Sequence, residues 1–131
     1  MWLTPNGKAN FLILPGLAAN AAVDDPDMLR LATVRSHDQY NTTLYSMSDR
    51  YRGVYGQRDV VFLSATEIER LGFEPGDRVD IVAVNEDGIE RRVRGYQLVA
   101  YSFPVGSCAA YYPETNPLVA LDAHDPMSFT P

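Results

Sequence analysis

The sequence predicts a single all-β domain with the shape of a small barrel. Its 131 residues are the length of one ordinary domain. Hydrophobic residues make up 46% and charged residues 21% of the chain, which is a globular composition rather than a disordered one. Several short apolar segments alternate with turn residues, and one short helix interrupts them. This pattern favours a barrel over a doubly wound parallel sheet, in which strands alternate with long helices.

Residues 1–27 are predicted as a lead-in segment, and the barrel domain is predicted over residues 28–131. The apolar run at residues 11–19 ends in an Ala-x-Ala motif, so a secretory signal peptide is an alternative interpretation. Pro15 and Gly16 interrupt that run, and a turn sequence precedes it, which favours the lead-in.

The first half of the predicted barrel contains two strands, a long loop and a helix. Residues 28–34 alternate polar and apolar side chains in part, which predicts a strand. Residues 36–58 are polar and turn-rich, and a loop of that length in a compact domain usually carries function. The apolar segment 60–63 is typical of a buried strand. The helix predicted at 65–71 follows the N-cap residue Ser64, and a glutamate three residues later completes a capping box.

The second half is predicted to consist of strands joined by turns. Residues 78–84 (RVDIVAV) alternate polar and apolar side chains, which predicts a half-buried strand. An Asn-Glu-Asp-Gly turn joins this strand to the returning strand 89–96. Residues 97–103 and 118–121 are predicted as further strands. The small residues of segment 105–110 allow its backbone to pass close to another group.

Charge is unevenly distributed along the chain. The net charge is −6, which argues against a general nucleic-acid binder. Between Arg30 and Arg58, however, five arginines and two aspartates leave a local balance of +3, which suits a phosphate-bearing ligand. No apolar stretch reaches about 18 residues, so we expect no membrane-spanning helix. A single cysteine and two histidines leave too few ligands for the usual protein-held zinc sites.

Two motifs carry a resemblance that covers essentially the whole chain. Residues 65–79 resemble the LG-x-x-x-GD-x-V signature of double-psi β-barrels. Residues 33–42 (TVRSHDQYNT) resemble the dinucleotide-contacting loop of the dimethyl-sulfoxide-reductase superfamily of molybdenum enzymes. Segments 4–11, 51–56 and 112–116 match further along. Within that superfamily the chain is most similar to formate-dehydrogenase-like molybdopterin oxidoreductase alpha subunits.

The resemblance implies an all-β, six-stranded double-psi β-barrel with short helices. It implies the C-terminal domain of a larger catalytic subunit, which binds molybdopterin guanine dinucleotide. Molybdenum and any iron–sulfur cluster would be held by the remaining domains of that subunit, which are the expected protein partner. We therefore expect a cytoplasmic oxidoreductase domain that is inactive alone, with no nucleic-acid or membrane partner. Formate as the substrate of the parent enzyme is a family-level analogy.

The resemblance also implies which residues contact the cofactor. Arg35 would supply a forked contact to the pyrophosphate or pterin, and His37 would donate to a pterin or phosphate oxygen. The amide of Asn116 lies between two prolines and would meet the pterin. The full predicted set is Thr33, Arg35, Ser36, His37, Gln39, Asn41, Thr42, Tyr112, Glu114 and Asn116. For each of these residues an ordinary surface or turn role is the alternative, and Glu67 and Arg70 are predicted on a solvated helix face.

Two functions of other classes remain open at this point. A free-standing small barrel enzyme, such as a decarboxylase, would need a self-processing Gly-Ser pair near the barrel start. Gly106 and Ser107 occur late in the chain instead. A protein-interaction barrel would need neither nucleotide binding nor a polar loop as long as residues 36–58.

Overall fold

The computed structural model describes residues 3–9, 25–40, 45–84, 87–124 and 127, and they form a mostly β structure. The strands are β1 (Arg30–Val34), β2 (Ser48–Asp49), β3 (Val54–Tyr55), β4 (Val60–Leu63), β5 (Arg78–Ala83), β6 (Arg91–Ala100) and β7 (Ser107–Tyr111). The helices are α1 (Ala65–Arg70) and a short 3-10 helix (Asn116–Leu118). In the described ranges no helix is long and apolar enough to cross a membrane. The all-β prediction is confirmed.

Five strands form one curled sheet in the order β1-β7-β4-β6-β5. β1 runs parallel to β7, and β4 runs parallel to β6. The β4–β7 and β5–β6 pairs are antiparallel. β2 and β3 form a separate antiparallel hairpin within the segment that was predicted as one long loop. The sheet therefore has the form of a half-barrel, with β1 and β5 at its two edges.

β4 lies at the centre of the sheet and is buried on both faces. Val61 and Leu63 pack into the larger core inside the curl. Val60 and Phe62 point the other way, into a smaller core that also contains Val54 of β3. This alternation follows from the two-residue period of a strand, and it explains why a continuous apolar run is needed here. The small core fastens the β2–β3 hairpin to the outer face of the sheet.

β6 is one long strand where two strands were predicted. Gly95 adopts a φ of 71°, and the pairing register with β5 shifts between Val79 and Ile81. The backbone N–H of Gly95 donates to Asp80 Oδ1 at 3.1 Å. Such a bulge bends a strand without ending it, and glycine takes the positive φ without steric strain. The predicted boundary at residue 96 is therefore wrong.

Two further element predictions differ from the structure. Residues 118–121 were predicted as a strand, but they form none. Leu118 is the last residue of the 3-10 helix, which has Pro117 in its first turn. Proline presets a helical φ and lacks a backbone donor, which favours this turn over a strand. Conversely, the small-residue segment contains strand β7. Its alanines fit between β1 and β4 because their side chains leave room on both faces of the sheet.

The predicted N-cap of α1 is confirmed, but the capping box is not formed. The N–H of Glu67 donates to Ser64 Oγ at 3.1 Å. The Glu67 carboxylate instead accepts from Arg70 at 3.0 Å. Hydrogen bonds from Arg70 and from the backbone of Gly106 hold the pKa of that carboxyl below its usual value, although burial opposes this shift. Glu67 is only 1% exposed, so the prediction of a solvated helix face is wrong at this position.

Candidate functional site

Two loops leave the same end of the sheet because the strands before them are parallel neighbours. β1 ends at Val34 and β7 ends at Tyr111, and these two residues are paired. Loop 35–40 and loop 112–116 therefore start side by side. β4 runs antiparallel to β7, so Arg58, just before β4, lies at the same end. We call these two loops, together with Arg58, the mouth.

Arg58 is the centre of the mouth and is only 3% exposed. Its Nη1 donates to Ser36 Oγ at 2.7 Å. Its Nη2 donates to Gln39 Oε1 at 2.9 Å and to the carbonyl oxygen of Tyr112 at 2.8 Å. One guanidinium thus binds both loops at once, which its planar fork of five N–H groups allows.

Glu114 neutralises the charge of this buried guanidinium. Its carboxylate accepts from Arg58 Nε at 2.5 Å and from Arg58 Nη2 at 3.2 Å. The hydroxyl of Tyr45 donates to the same carboxylate at 2.9 Å, and the Tyr45 ring centroid lies 3.7 Å from Arg58 Cζ. Burial favours a raised pKa, but the hydrogen bonds from Arg58 and Tyr45 outweigh it and hold the pKa of Glu114 below its usual value. Glu114 is therefore an ionised partner of Arg58.

The side chain of Gln39 closes the network between the loops. Its Nε2 donates to the carbonyl oxygen of Tyr112 at 3.0 Å, across 73 residues of sequence. Its Oε1 accepts from the backbone N–H of Ser36 at 3.2 Å. Because Ser36, Gln39 and Glu114 are engaged in this way, their side chains hold the mouth together rather than project into solvent.

A second polar cluster lies beside the mouth and ties the β2–β3 hairpin to it. Asp49 is 2% exposed and accepts from Arg52 Nη1 at 2.6 Å and from the Tyr111 hydroxyl at 2.9 Å. Arg52 Nη1 also donates to the carbonyl oxygen of Arg35 at 3.0 Å. Burial alone would raise the pKa of Asp49, but these two donors lower it, whereas burial and Asp49 raise the pKa of Tyr111.

The exposed side chains in and beside the mouth include cationic and aromatic groups, together with the acid Asp38, whose Oδ1 lies 3.4 Å from His37 Nε2. Arg35 is exposed, and its Cζ lies 5.7 Å from the ring centroid of Tyr112. The side chain of His37 is 45% exposed, and its ring centroid lies 3.9 Å from that of Tyr51. Arg50 Cζ lies 5.0 Å from the same Tyr51 ring. This surface offers guanidinium and imidazole donors together with flat rings, which suits phosphate and planar heterocycles.

The remaining predicted site residues have different locations. Asn116 is exposed at the start of the 3-10 helix, directly after Glu114 and Thr115 in the second mouth loop. Thr33 lies within β1 and lines an apolar groove rather than the mouth. Asn41 and Thr42 lie outside the described residues.

Arg58 was absent from the predicted set, although it organises four members of it. Sequence reasoning counted it only as one arginine of the basic segment. One signal could have found it: an arginine two residues before a fully apolar strand lies close to the buried end of that strand. Such a cation needs acceptors, and their identity depends on residues 19 to 56 positions away.

The apolar groove lies between the two edge strands of the half-barrel and has a volume of about 700 Å³. Its walls include Leu31 of β1, Ile81 of β5 and Leu118 of the 3-10 helix. Val82 and Phe73 also line it and are 42% and 43% exposed. Within the described part of the chain, no group of three potential metal ligands is found. The two features of the molecule are thus a polar mouth and an apolar groove.

Comparison with known proteins relates the chain to one part of much longer proteins. It is 52% identical over 132 residues, covering 98% of the chain, to a protein of Mycobacterium tuberculosis named uncharacterized oxidoreductase. A Mycobacterium bovis protein with that description has the same identity and coverage. Identity to Protein YdeP of Escherichia coli is 47% over 99% of the chain.

The chain spans about 17% of the length of each of these curated relatives. No protein-family model matches the chain. The chain is therefore similar to one segment of longer proteins, of which the two mycobacterial ones carry an oxidoreductase name.

Proposed function

We propose that this chain is the dinucleotide-binding domain of a larger molybdopterin-dependent oxidoreductase, similar to formate dehydrogenases. The names of the mycobacterial relatives support a redox role, and their length supports a much larger parent protein. The observation that carries the proposal is the mouth itself. Cationic and aromatic side chains are exposed there. The polar side chains that hold the two loops together are already hydrogen-bonded within the mouth.

The side chains at the mouth fit molybdopterin guanine dinucleotide by their chemistry. A pyrophosphate needs hydrogen-bond donors and positive charge; the exposed Arg35 offers a cationic fork, and the exposed His37 offers an imidazole N–H. The pterin and guanine carry amide edges, which suit the exposed amide of Asn116. When bound, the cofactor would supply the redox chemistry, and the chain would bind and orient it. Ser36, Gln39 and the other Arg58 partners act indirectly in this proposal.

The finer fold proposal is a six-stranded double-psi barrel. The bulge at Gly95 divides β6 into two parts. Residues 91–93 pair only with β5, whereas residues 96–100 pair with β5 through Tyr96 and Gln97 and with β4 from Gln97 onward. Counted as two strands, these parts join β1, β4, β5 and β7 to make six. The curled five-stranded sheet is consistent with that count.

We also propose that other parts of the full-length protein cover the apolar groove. The relatives are about six times longer than this chain, so most of their polypeptide is available as a cover. Burial of apolar side chains such as Val82 against an apolar segment is favourable. Hydrogen exchange of β5 should therefore be slower in the full-length protein than in this chain alone. Equal rates in the two proteins would overturn this assignment.

Titration with guanosine diphosphate tests the cofactor proposal in this chain. The wild type should bind, and Arg35→Ala should weaken binding about tenfold or more, because a charge-assisted hydrogen bond contributes about 1.5–3 kcal/mol. Arg94→Ala removes an exposed arginine on β6, away from the mouth, and should leave the affinity unchanged. Affinity should fall with added salt. Absence of any binding would favour a protein-interaction barrel instead.

A further inference from the structure

We propose that Arg58 is the positioning residue of the mouth, which sets the two ligand-bearing loops in one fixed arrangement. This inference rests on the proposed function and deepens it, because it names the group that preorganises the site. Arg58 acts through other residues rather than on the ligand, since it is 3% exposed and its donors are already engaged.

The contacts of Arg58 divide evenly between the two loops. Ser36 and Gln39 belong to the first loop. Ser36 accepts a hydrogen bond from Arg58 Nη1, and Gln39 accepts one from Nη2. Tyr112 and Glu114 belong to the second loop, and they accept through a carbonyl oxygen and a carboxylate. Three nitrogens in one rigid plane therefore fix both loops relative to each other. A flexible ammonium group cannot reproduce that plane.

The fixed residues are sequence neighbours of the exposed ones. Ser36 lies between Arg35 and His37, so anchoring its hydroxyl fixes the backbone of both exposed donors. Glu114 precedes Asn116 by two residues and anchors the second loop in the same way. Binding sites held in this manner lose less conformational entropy when a ligand binds. By holding four partner residues, Arg58 thus presets the spacing of the exposed groups.

A pair of charge-balanced double variants tests this inference in the present chain. Arg58→Met/Glu114→Gln removes the buried pair and leaves neither charge behind, which avoids the cost of an unpaired buried charge. Arg70→Met/Glu67→Gln is the control, because it removes another Arg–Glu pair, on α1, whose carboxylate is 1% exposed against 16% for Glu114. Amide hydrogen exchange is measured in both mouth loops and, as an internal reference, in β4. Affinity for guanosine diphosphate is measured in parallel.

The mouth variant should show exchange about tenfold faster or more in loops 35–40 and 112–116, with β4 unchanged. Its affinity for guanosine diphosphate should fall about tenfold or more, although Arg35 and His37 are intact. The control should change neither quantity. Arg58→Lys should not restore the wild-type values, because it keeps the charge and loses the plane.

Unchanged exchange in the mouth loops would overturn the inference, as would rescue by Arg58→Lys. If the mouth variant also loses protection in β4, Ser36→Ala decides, since it removes one Arg58 contact and keeps both charges. Slow exchange in loop 35–40 of Ser36→Ala then contradicts the inference. If even the wild type fails to bind guanosine diphosphate, the proposed function fails, while the exchange rates still decide the role of Arg58.

Discussion

The mouth buries charged side chains, whereas the apolar groove leaves apolar side chains exposed. Arg58 in the mouth and Asp49 beside it are 3% and 2% exposed, and each is paired with partners inside the chain. Val82 and Phe73 of the groove are 42% and 43% exposed despite their apolar side chains. A polar region that satisfies itself can present a few exposed donors in a fixed arrangement. For the apolar region, which stays exposed in this chain, we have proposed a cover from the rest of a longer protein.

The largest expected effect on stability comes from a substitution at the centre of the mouth. Arg58→Met leaves the Glu114 carboxylate and several acceptors without their donor, so unfolding free energy should fall by about 3–5 kcal/mol. Arg92→Met removes two exposed ion pairs, with Asp80 and Glu90, and should cost about 0–1 kcal/mol. Urea unfolding of the two variants measures the difference. Equal losses would mean that the mouth is no more than another surface ion pair.

A smaller effect is expected from the cluster beside the mouth. Tyr111→Phe keeps the ring in the small core but removes the hydrogen bond to buried Asp49, which should cost about 1–3 kcal/mol. Tyr55→Phe is the matched control, because Tyr55 is 64% exposed, and its unfolding midpoint should match the wild type. Chemical denaturation distinguishes these results. A Tyr111→Phe variant as stable as the control would show that Arg52 alone satisfies Asp49.

We also expect the folding stability to depend on pH because of Glu114 in the mouth. The folded-state pKa of Glu114 lies below its ordinary value of 4.5. The stability that this group contributes is therefore fully present above about pH 4.5 and is lost as the pH falls through the lower folded pKa. Thermal unfolding between neutral and acidic pH should show a steeper acid loss in the wild type than in Glu114→Gln. Parallel curves would contradict this prediction.

The smallest effect is expected in the groove. Val82→Thr alters a side chain that is already 42% exposed, so the stability of this chain should change by no more than about 0.5 kcal/mol. Leu98→Ala, in the core at 3% exposure, should cost about 2–5 kcal/mol. The same Val82→Thr change should destabilise the full-length protein more than it destabilises this chain. A large loss in the chain alone would mean that the groove is already covered.

Sequence reasoning succeeded where the signal was local. The apolar run of β4 and the N-cap at Ser64 are readable from neighbouring residues, and both are confirmed. The continuity of β6 was missed because Gly95 can mark either a turn or a bulge, and only its partner strand decides between them. Arg58 was missed for a similar reason. Its role depends on acceptors that only the parallel pairing of β1 and β7 brings to one end of the sheet.

The guanine nucleotide content of the full-length protein tests the central claim most directly. The nucleotide released by denaturation is quantified for the wild type, Arg35→Ala, Asn116→Ala and the control Arg94→Ala. The wild type and the control should retain guanine nucleotide, and the two mouth variants should retain less after dialysis, because each has lost a ligand contact. Wild-type occupancy in both Arg35→Ala and Asn116→Ala would contradict the assignment of the dinucleotide site to the mouth.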